Sequence, residues 1–119
     1  MRTIERTIVH HNATGFAVDE AHRRAVTRRA EGEWRDVTNA MAWKCDLLVT
    51  DRIHLALWLR DGRCIELHEE MEGWPSLLEQ LPAYLPRCRA MTTWWSEVVA
   101  PPFAANPTVV YNREPTHRG

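Results

Sequence analysis

Lysine is almost absent: Lys44 is the single lysine among fifteen cationic residues of this 119-residue chain. A phosphate-binding loop of the GxxxxGK type is thereby excluded, and so is a lysine-rich nucleic-acid patch. Cysteine is scarce as well. Cys45, Cys64 and Cys88 form neither an even set nor a CxxC pair, which reads as reduced thiols in a cytoplasm rather than a disulfide framework. The first 25 residues lack the apolar stretch of a secretory leader, and no apolar run approaches the ~20 residues a membrane helix needs. Serine is limited to Ser76 and Ser96, neither in a GxSxG setting, and no cysteine sits in a signature of activation. A net charge of −1 supplies no global field to draw in nucleic acid or an anionic membrane, and no aromatic-basic RNA-binding motif occurs.

The chain is 45% hydrophobic and 26% charged, which matches an ordinary globular domain. At this length folding buries roughly two-thirds of the unfolded surface, enough for a core without metal or disulfide staples. No repeat, low-complexity tract or internal linker marks a boundary, so residues 1–119 are expected to form one domain, loose at 1–12 and 112–119.

The first half reads as strands. Phe16-Ala17-Val18 fits a short strand, Asp19-Glu20 a turn and Arg23 to Arg28 its hairpin partner, with Trp34 to Val37 a further short strand. The clearest element is the hairpin Ile53 to Glu69, where IHLALWL and RCIELHE flank Arg60-Asp61-Gly62. A three-residue loop ending in glycine at a left-handed position sets a register in which Leu57 faces Ile65 and Leu55 faces Leu67. On the other face Trp58, Ala56 and His54 then meet Cys64, Glu66 and His68; the two-residue alternative would set Leu57 against Glu66. Cys45 to Val49 supplies one more strand, joined through Thr50-Asp51-Arg52.

Past Gly73 the apolar period changes to 3.6. Trp74, Leu77, Leu78, Leu81 and Leu85 line one face of a helix, with Pro75 in its first turn and a kink or break expected at Pro82. Met91, Trp94, Trp95, Val98 and Val99 mark a second helix over Thr92 to Ala100, stopped by Pro101-Pro102. The tail has an extended middle at Thr108 to Tyr111. The expected class is α+β: a curved antiparallel sheet or partly open barrel, capped by one amphipathic helix, with a second short C-terminal helix and an extended tail.

The segments EWRDVT, LALWLRDGRCIEL, EEMEGWPSLLEQLPAYLP and PPFAANPTVVY resemble a small family of uncharacterised bacterial proteins. The order of strands, hairpin and amphipathic helix is similar to the pleckstrin-homology-like superfold, from which residues 92–119 depart by adding a helix and tail. The resemblance implies a fold and a bacterial source but no reaction.

Six tryptophans are the main compositional anomaly, and indoles serve cores and partner surfaces alike. Trp34, Trp58 and Trp74 fall on periodic apolar faces and read as core. Trp94 and Trp95 sit about 100° apart on a helix, so one reaches the rim of the stripe. With Phe103, Val109 and Tyr111 they form a candidate interface for a partner or a second copy. His54 and His68, opposite one another, make a candidate metal pair beside Glu66 and Cys64, against the plainer reading of two half-exposed imidazoles. Arg23, Arg24, Arg28 and Arg29 make a candidate anion site, or a solvated hairpin balanced by Asp19, Glu20, Glu31 and Glu33. Glu66, Glu69, Glu70 and Glu72 have no nucleophile beside them and read as a soluble strand end leading into the helix. These residues imply a cytoplasmic protein-interaction or scaffold module, regulatory or antidote-type, without cofactor, nucleic-acid partner or membrane span. The alternative is a small-ligand or metal-assisted enzyme on the His54/His68 face.

Overall fold

The turn Arg60-Asp61-Gly62 behaves as its chemistry demands. In the computed structural model, which describes residues 6–47, 50–100 and 104–113, Gly62 adopts φ +94° and Leu59 N–H donates to the Arg63 carbonyl at 2.9 Å. It joins β5 (Thr50–Leu59) to β6 (Cys64–His68), paired Leu57 to Ile65, Leu55 to Leu67 and His54 to His68, as the apolar matching requires. β4 (Val37–Leu47) pairs antiparallel with the other edge of β5, and the tail strand β7 (Thr108–Asn112) pairs antiparallel with β4, giving the sheet order β6-β5-β4-β7. A second sheet of three antiparallel strands holds β1 (Arg6–His11), β2 (Gly15–His22) and β3 (Ala25–Glu33). The fold is α+β with two sheets and two helices, and the described strands do not close into a barrel.

Helix α1 (Trp74–Tyr84) carries its leucines at helical spacing on a buried face, and Pro75 fits its first turn, where the missing N–H is not needed. α2 (Met91–Val99) buries Trp94 and Val98. Leu55, Leu57, Ile65 and Leu67 on the inward face of the four-stranded sheet meet Leu77 and Leu81 of α1 in one cluster. Val9, Phe16 and Trp34 extend that cluster toward the smaller sheet. Each full burial of such a side chain stabilises by about 1.5–3 kcal/mol. Lys44 lies on the core side of β4, paired across the ladder with Ile53. Its Nζ donates to the Val99 carbonyl at the end of α2 and stands 3.7 Å from Asp51, so the chain's single lysine closes a helix terminus.

Several expectations are corrected. The first hairpin turns at Arg23-Arg24, with φ of 51° and 69°, not at Asp19-Glu20. Asp19 stays in β2 because Arg29 and His10 satisfy its carboxylate there. Trp34–Asp36 form a single 3-10 turn rather than a strand, because the chain changes sheets at this point; Trp34 N–H donates to the Thr14 carbonyl and Arg60 N–H to the Asp36 carbonyl. Residues 6–11, expected to be loose, form β1, held by β2 and by the Val9 N–H on the Glu72 carbonyl at 2.8 Å. Thr50-Asp51-Arg52 begins β5 instead of linking to it, and the strand expected at Cys45 to Val49 is the end of the longer β4, with residues 48 and 49 outside the described set. α1 continues through Pro82 and ends two residues later, so the proline sits in the last turn and removes one ladder bond without breaking the helix. No helix among the described residues is long and apolar enough to cross a membrane.

Candidate functional site

Strand alternation sends Arg52, His54, Ala56 and Trp58 of β5 to the outward face of the four-stranded sheet. The register sets Trp43 of β4 beside His54 on one side and His68 of β6 on the other. The His54 imidazole is stacked on the Trp43 indole at 5.2 Å and lies 5.6 Å from the His68 ring. It is 7% exposed although it faces outward, because these rings cover it.

Two hydrogen bonds fix the tautomers. Arg52 Nε donates to His54 Nε2 at 3.1 Å, so that nitrogen carries the lone pair and the proton sits on Nδ1. Glu70 N–H donates to His68 Nδ1 at 3.2 Å, which places the His68 proton on Nε2. His54 Nδ1 has no hydrogen-bond partner; the nearest carboxylate oxygen, of Glu66, is 3.6 Å away. Burial pushes the His54 pKa down, with the Arg52 charge acting in the same direction and Glu66 opposing; His68 is lowered by burial, then by Arg52 and His54. Both rings are held neutral with their lone pairs already engaged. The candidate metal pair is therefore brought together but offers no open ligand atom. Among the described residues no group of three or more His, Cys, Asp or Glu side chains is arranged to hold a metal ion.

Around this pair the sheet face is apolar. Met41, Trp43 and Trp58 are half-buried, and Val109 of β7, opposite Met41 in the ladder, is 50% exposed. Trp58, expected in the core, is thus an outward residue. Cys64 and Glu66 on β6 and the Arg52–Glu70 ion pair at 3.1 Å form the polar margin. Glu66 has no arginine or lysine partner among the described residues.

The C-terminal candidate interface is redistributed by the fold. Trp94 and Tyr111 are 1% and 6% exposed and belong to the chain's own core, while Trp95 is half-buried against it. Trp94 and Tyr111 cannot meet a partner without unfolding, because they pack inward, whereas Trp95 keeps part of its surface open. Val109 remains on the surface, and Phe103 lies outside the described residues.

The arginine candidates do not converge either. Arg23 and Arg24 occupy the hairpin turn, and Arg28 and Arg29 are consecutive on β3 and so point to opposite faces. Arg29 is spent on Asp19, with Nε and Nη2 donating to its two carboxylate oxygens at 2.7 and 2.8 Å. Hydrogen bonding from Arg29 holds Asp19 below the ordinary carboxylate pKa, against an upward push from burial and with help from His10. A cleft of about 600 Å³ opens beside this network, lined by His10, Arg29, Glu31, Asp36 and Arg63 among others. Its arginines are already matched: Arg63 is paired with Asp61 at 2.9 Å and donates to the Glu31 carbonyl at 3.0 Å.

One polar cluster was not legible in the sequence. His11 Nε2 lies 3.0 Å from Ser76 Oγ and its Nδ1 lies 2.7 Å from Tyr84 Oη, linking the end of β1 to both ends of α1. A serine, a histidine and an orienting hydroxyl at such distances meet the spacing of an activated nucleophile. Ser76 lines none of the three clefts described here, of about 600, 410 and 290 Å³, so no wall presents a substrate to it. The same holds for His54 and His68. The cluster's partners are 65 and 73 residues apart in sequence, which is why spacing gave no sign of it.

No protein-family model, curated protein or solved structure matches the chain.

Proposed function

We propose that this chain is a non-enzymatic protein-interaction module of a bacterial cytoplasm, regulatory or antidote-type, that docks a protein partner on the outward face of β4, β5 and β6. The observation that carries the reading is the row of Met41, Trp43, Trp58 and Val109 on a sheet face that in most antiparallel sheets is polar. Tryptophan and methionine are enriched in the cores of protein interfaces, where a polar margin surrounds them. Glu66, without an arginine or lysine partner among the described residues, asks for a basic side chain from the other protein, so the fitting partner has an apolar centre and an arginine or lysine beside it. The three unpaired cysteines fit a reducing compartment.

Native mass spectrometry of the chain purified from its own host tests the reading, comparing the wild type with Trp58→Glu and Glu66→Arg. A bound protein, or a second copy, should appear with the wild type and be lost with Trp58→Glu while the melting temperature stays within a few degrees. A wild type that is monomeric and free of partners, or a complex that survives both substitutions, would refute it.

A further inference from the structure

Arg113, immediately after β7, lines a cleft of about 410 Å³ together with Thr14, Glu33, Trp34, Arg35 and Tyr84. Its backbone is fixed: the N–H donates to the Thr38 carbonyl at 2.8 Å and the carbonyl accepts from Arg87 Nη2 at 3.1 Å. Its side chain is not satisfied. A guanidinium presents five N–H donors, and here Nη2 alone has an acceptor among the described residues, the Trp34 carbonyl at 3.2 Å. Nε is buried and finds no acceptor among the described residues. Buried donors in folded proteins almost always find a partner, so an orphan in a cleft wall points to something that occupies the cleft.

The electrostatics agree. No carboxylate among the described residues forms an ion pair with Arg113, nor with Arg87, which is hydrogen-bonded to it and adjoins Pro86 of the lining. Arg35, also in the lining, is 2.7 Å from Glu33, so that pair cancels. Among the described residues, the guanidinium of Arg113 in the lining and that of Arg87 next to Pro86 are thus without a compensating carboxylate. Arg29, Arg52, Arg63 and Arg89 are by contrast each paired with a carboxylate of the chain. Arginine's planar fork is suited to carboxylate and phosphate oxygens.

We propose that this cleft is a binding site for a small oxyanion, a carboxylate or a phosphate, received by the open donors of Arg113 with Arg87 at the rim. The site is independent of the outward sheet face and stands or falls without it.

The test is a titration of the full chain, observed through the Arg Nε–Hε signals in a proton–nitrogen NMR spectrum. Inorganic phosphate and acetate are the two probes, in separate arms, with sodium chloride holding the ionic strength constant. The Arg113 Nε–Hε signal should shift saturably with one of the probes, and the arm that saturates at the lower concentration assigns phosphate or carboxylate. In Arg113→Gln, which lacks that signal, the Trp34 indole N–H of the cleft lining should no longer shift saturably, and Arg87→Gln should weaken the affinity at least threefold with the backbone spectrum otherwise unchanged. Shifts that grow linearly, that sodium chloride reproduces, or that saturate equally well in Arg87→Gln and Arg113→Gln would overturn the assignment. Should Arg113→Gln fail to fold, the wild-type titration and Arg87→Gln still decide it.

Discussion

Two glycines with the same backbone angle make a direct measurement of how tightly β1 is latched to α1. Gly62 has φ +94° and Gly73 has φ +93°, so replacing either by alanine forces an L side chain into the left-handed region. That backbone penalty is about 1–2 kcal/mol, partly offset by the stiffer unfolded chain, for a net cost of about 1 kcal/mol. At Gly62 nothing stands within 4 Å of the new methyl group, so the cost should end there. At Gly73 the methyl would lie 2.4 Å from the Val9 carbonyl oxygen and 3.3 Å from Val9 Cγ1. β1 must then retreat. It is held at that point by Val9 N–H on the Glu72 carbonyl at 2.8 Å and Glu72 N–H on the Thr7 carbonyl at 3.0 Å. Losing one of these bonds costs about 1 kcal/mol, and the forced repacking of buried Val9 costs about 1–3 kcal/mol. Gly73→Ala should therefore destabilise by about 3–5 kcal/mol and Gly62→Ala by about 1 kcal/mol. Equilibrium urea unfolding, followed by tryptophan fluorescence and far-ultraviolet circular dichroism, reads both. With a slope of about 1–3 kcal/mol per molar urea, the two midpoints should differ by on the order of 1–2 M. Costs equal within about 0.5 kcal/mol, the usual precision for surface changes, would refute the close approach of Gly73 to β1 and with it the docking of the three-stranded sheet on α1.

Three further outcomes follow from the polar and thiol groups. Asp19→Asn should cost about 1–2 kcal/mol at neutral pH through lost charge-assisted bonds. In the wild type this contribution is complete above the ordinary carboxylate pKa and is lost as pH falls through the lower folded value; acid unfolding curves of wild type and variant should converge there, and parallel curves would argue against the network. His54 and His68 are depressed, so as pH falls below about 6.5 the unfolded chain takes up protons first and stability declines until the folded rings protonate. His54→Phe should flatten the fall in melting temperature between pH 7.5 and 5, and an unchanged slope would remove His54 from the account. Burial raises the Cys88 thiol to about 11, whereas Cys64 is exposed, so a disulfide reagent should modify Cys64 in the native protein and Cys88 only on unfolding. Because Cys45 is a second, half-buried thiol, the check is made in a Cys45→Ser background: loss of the fast phase on adding Cys64→Ser supports the assignment, and its persistence would contradict it.

The β5–β6 hairpin was readable to the level of individual pairs because its information is local. Asp61-Gly62 dictates the loop, the loop dictates the register, and the register puts His54 opposite His68. The leucine spacing after Gly73 defined α1 for the same reason, since a helical face repeats within a few residues. What needed the tertiary structure is everything settled between distant segments. β7 finds β4 some 70 residues earlier through Tyr111 beside Ala40, and this turns Tyr111 and Trp94 from surface candidates into core. Asp19 looked like a turn residue until Arg29 across the ladder supplied the bonds that let it be buried. Lys44 and Arg113 show the same division: composition made Lys44 conspicuous and left Arg113 unremarkable. Only the packed chain shows that Lys44 ends on a helix carbonyl while Arg113 buries an Nε–H that has no acceptor among the described residues. Periodicity specifies which face of an element is apolar, but which surface stays open depends on the elements that come to lie against it.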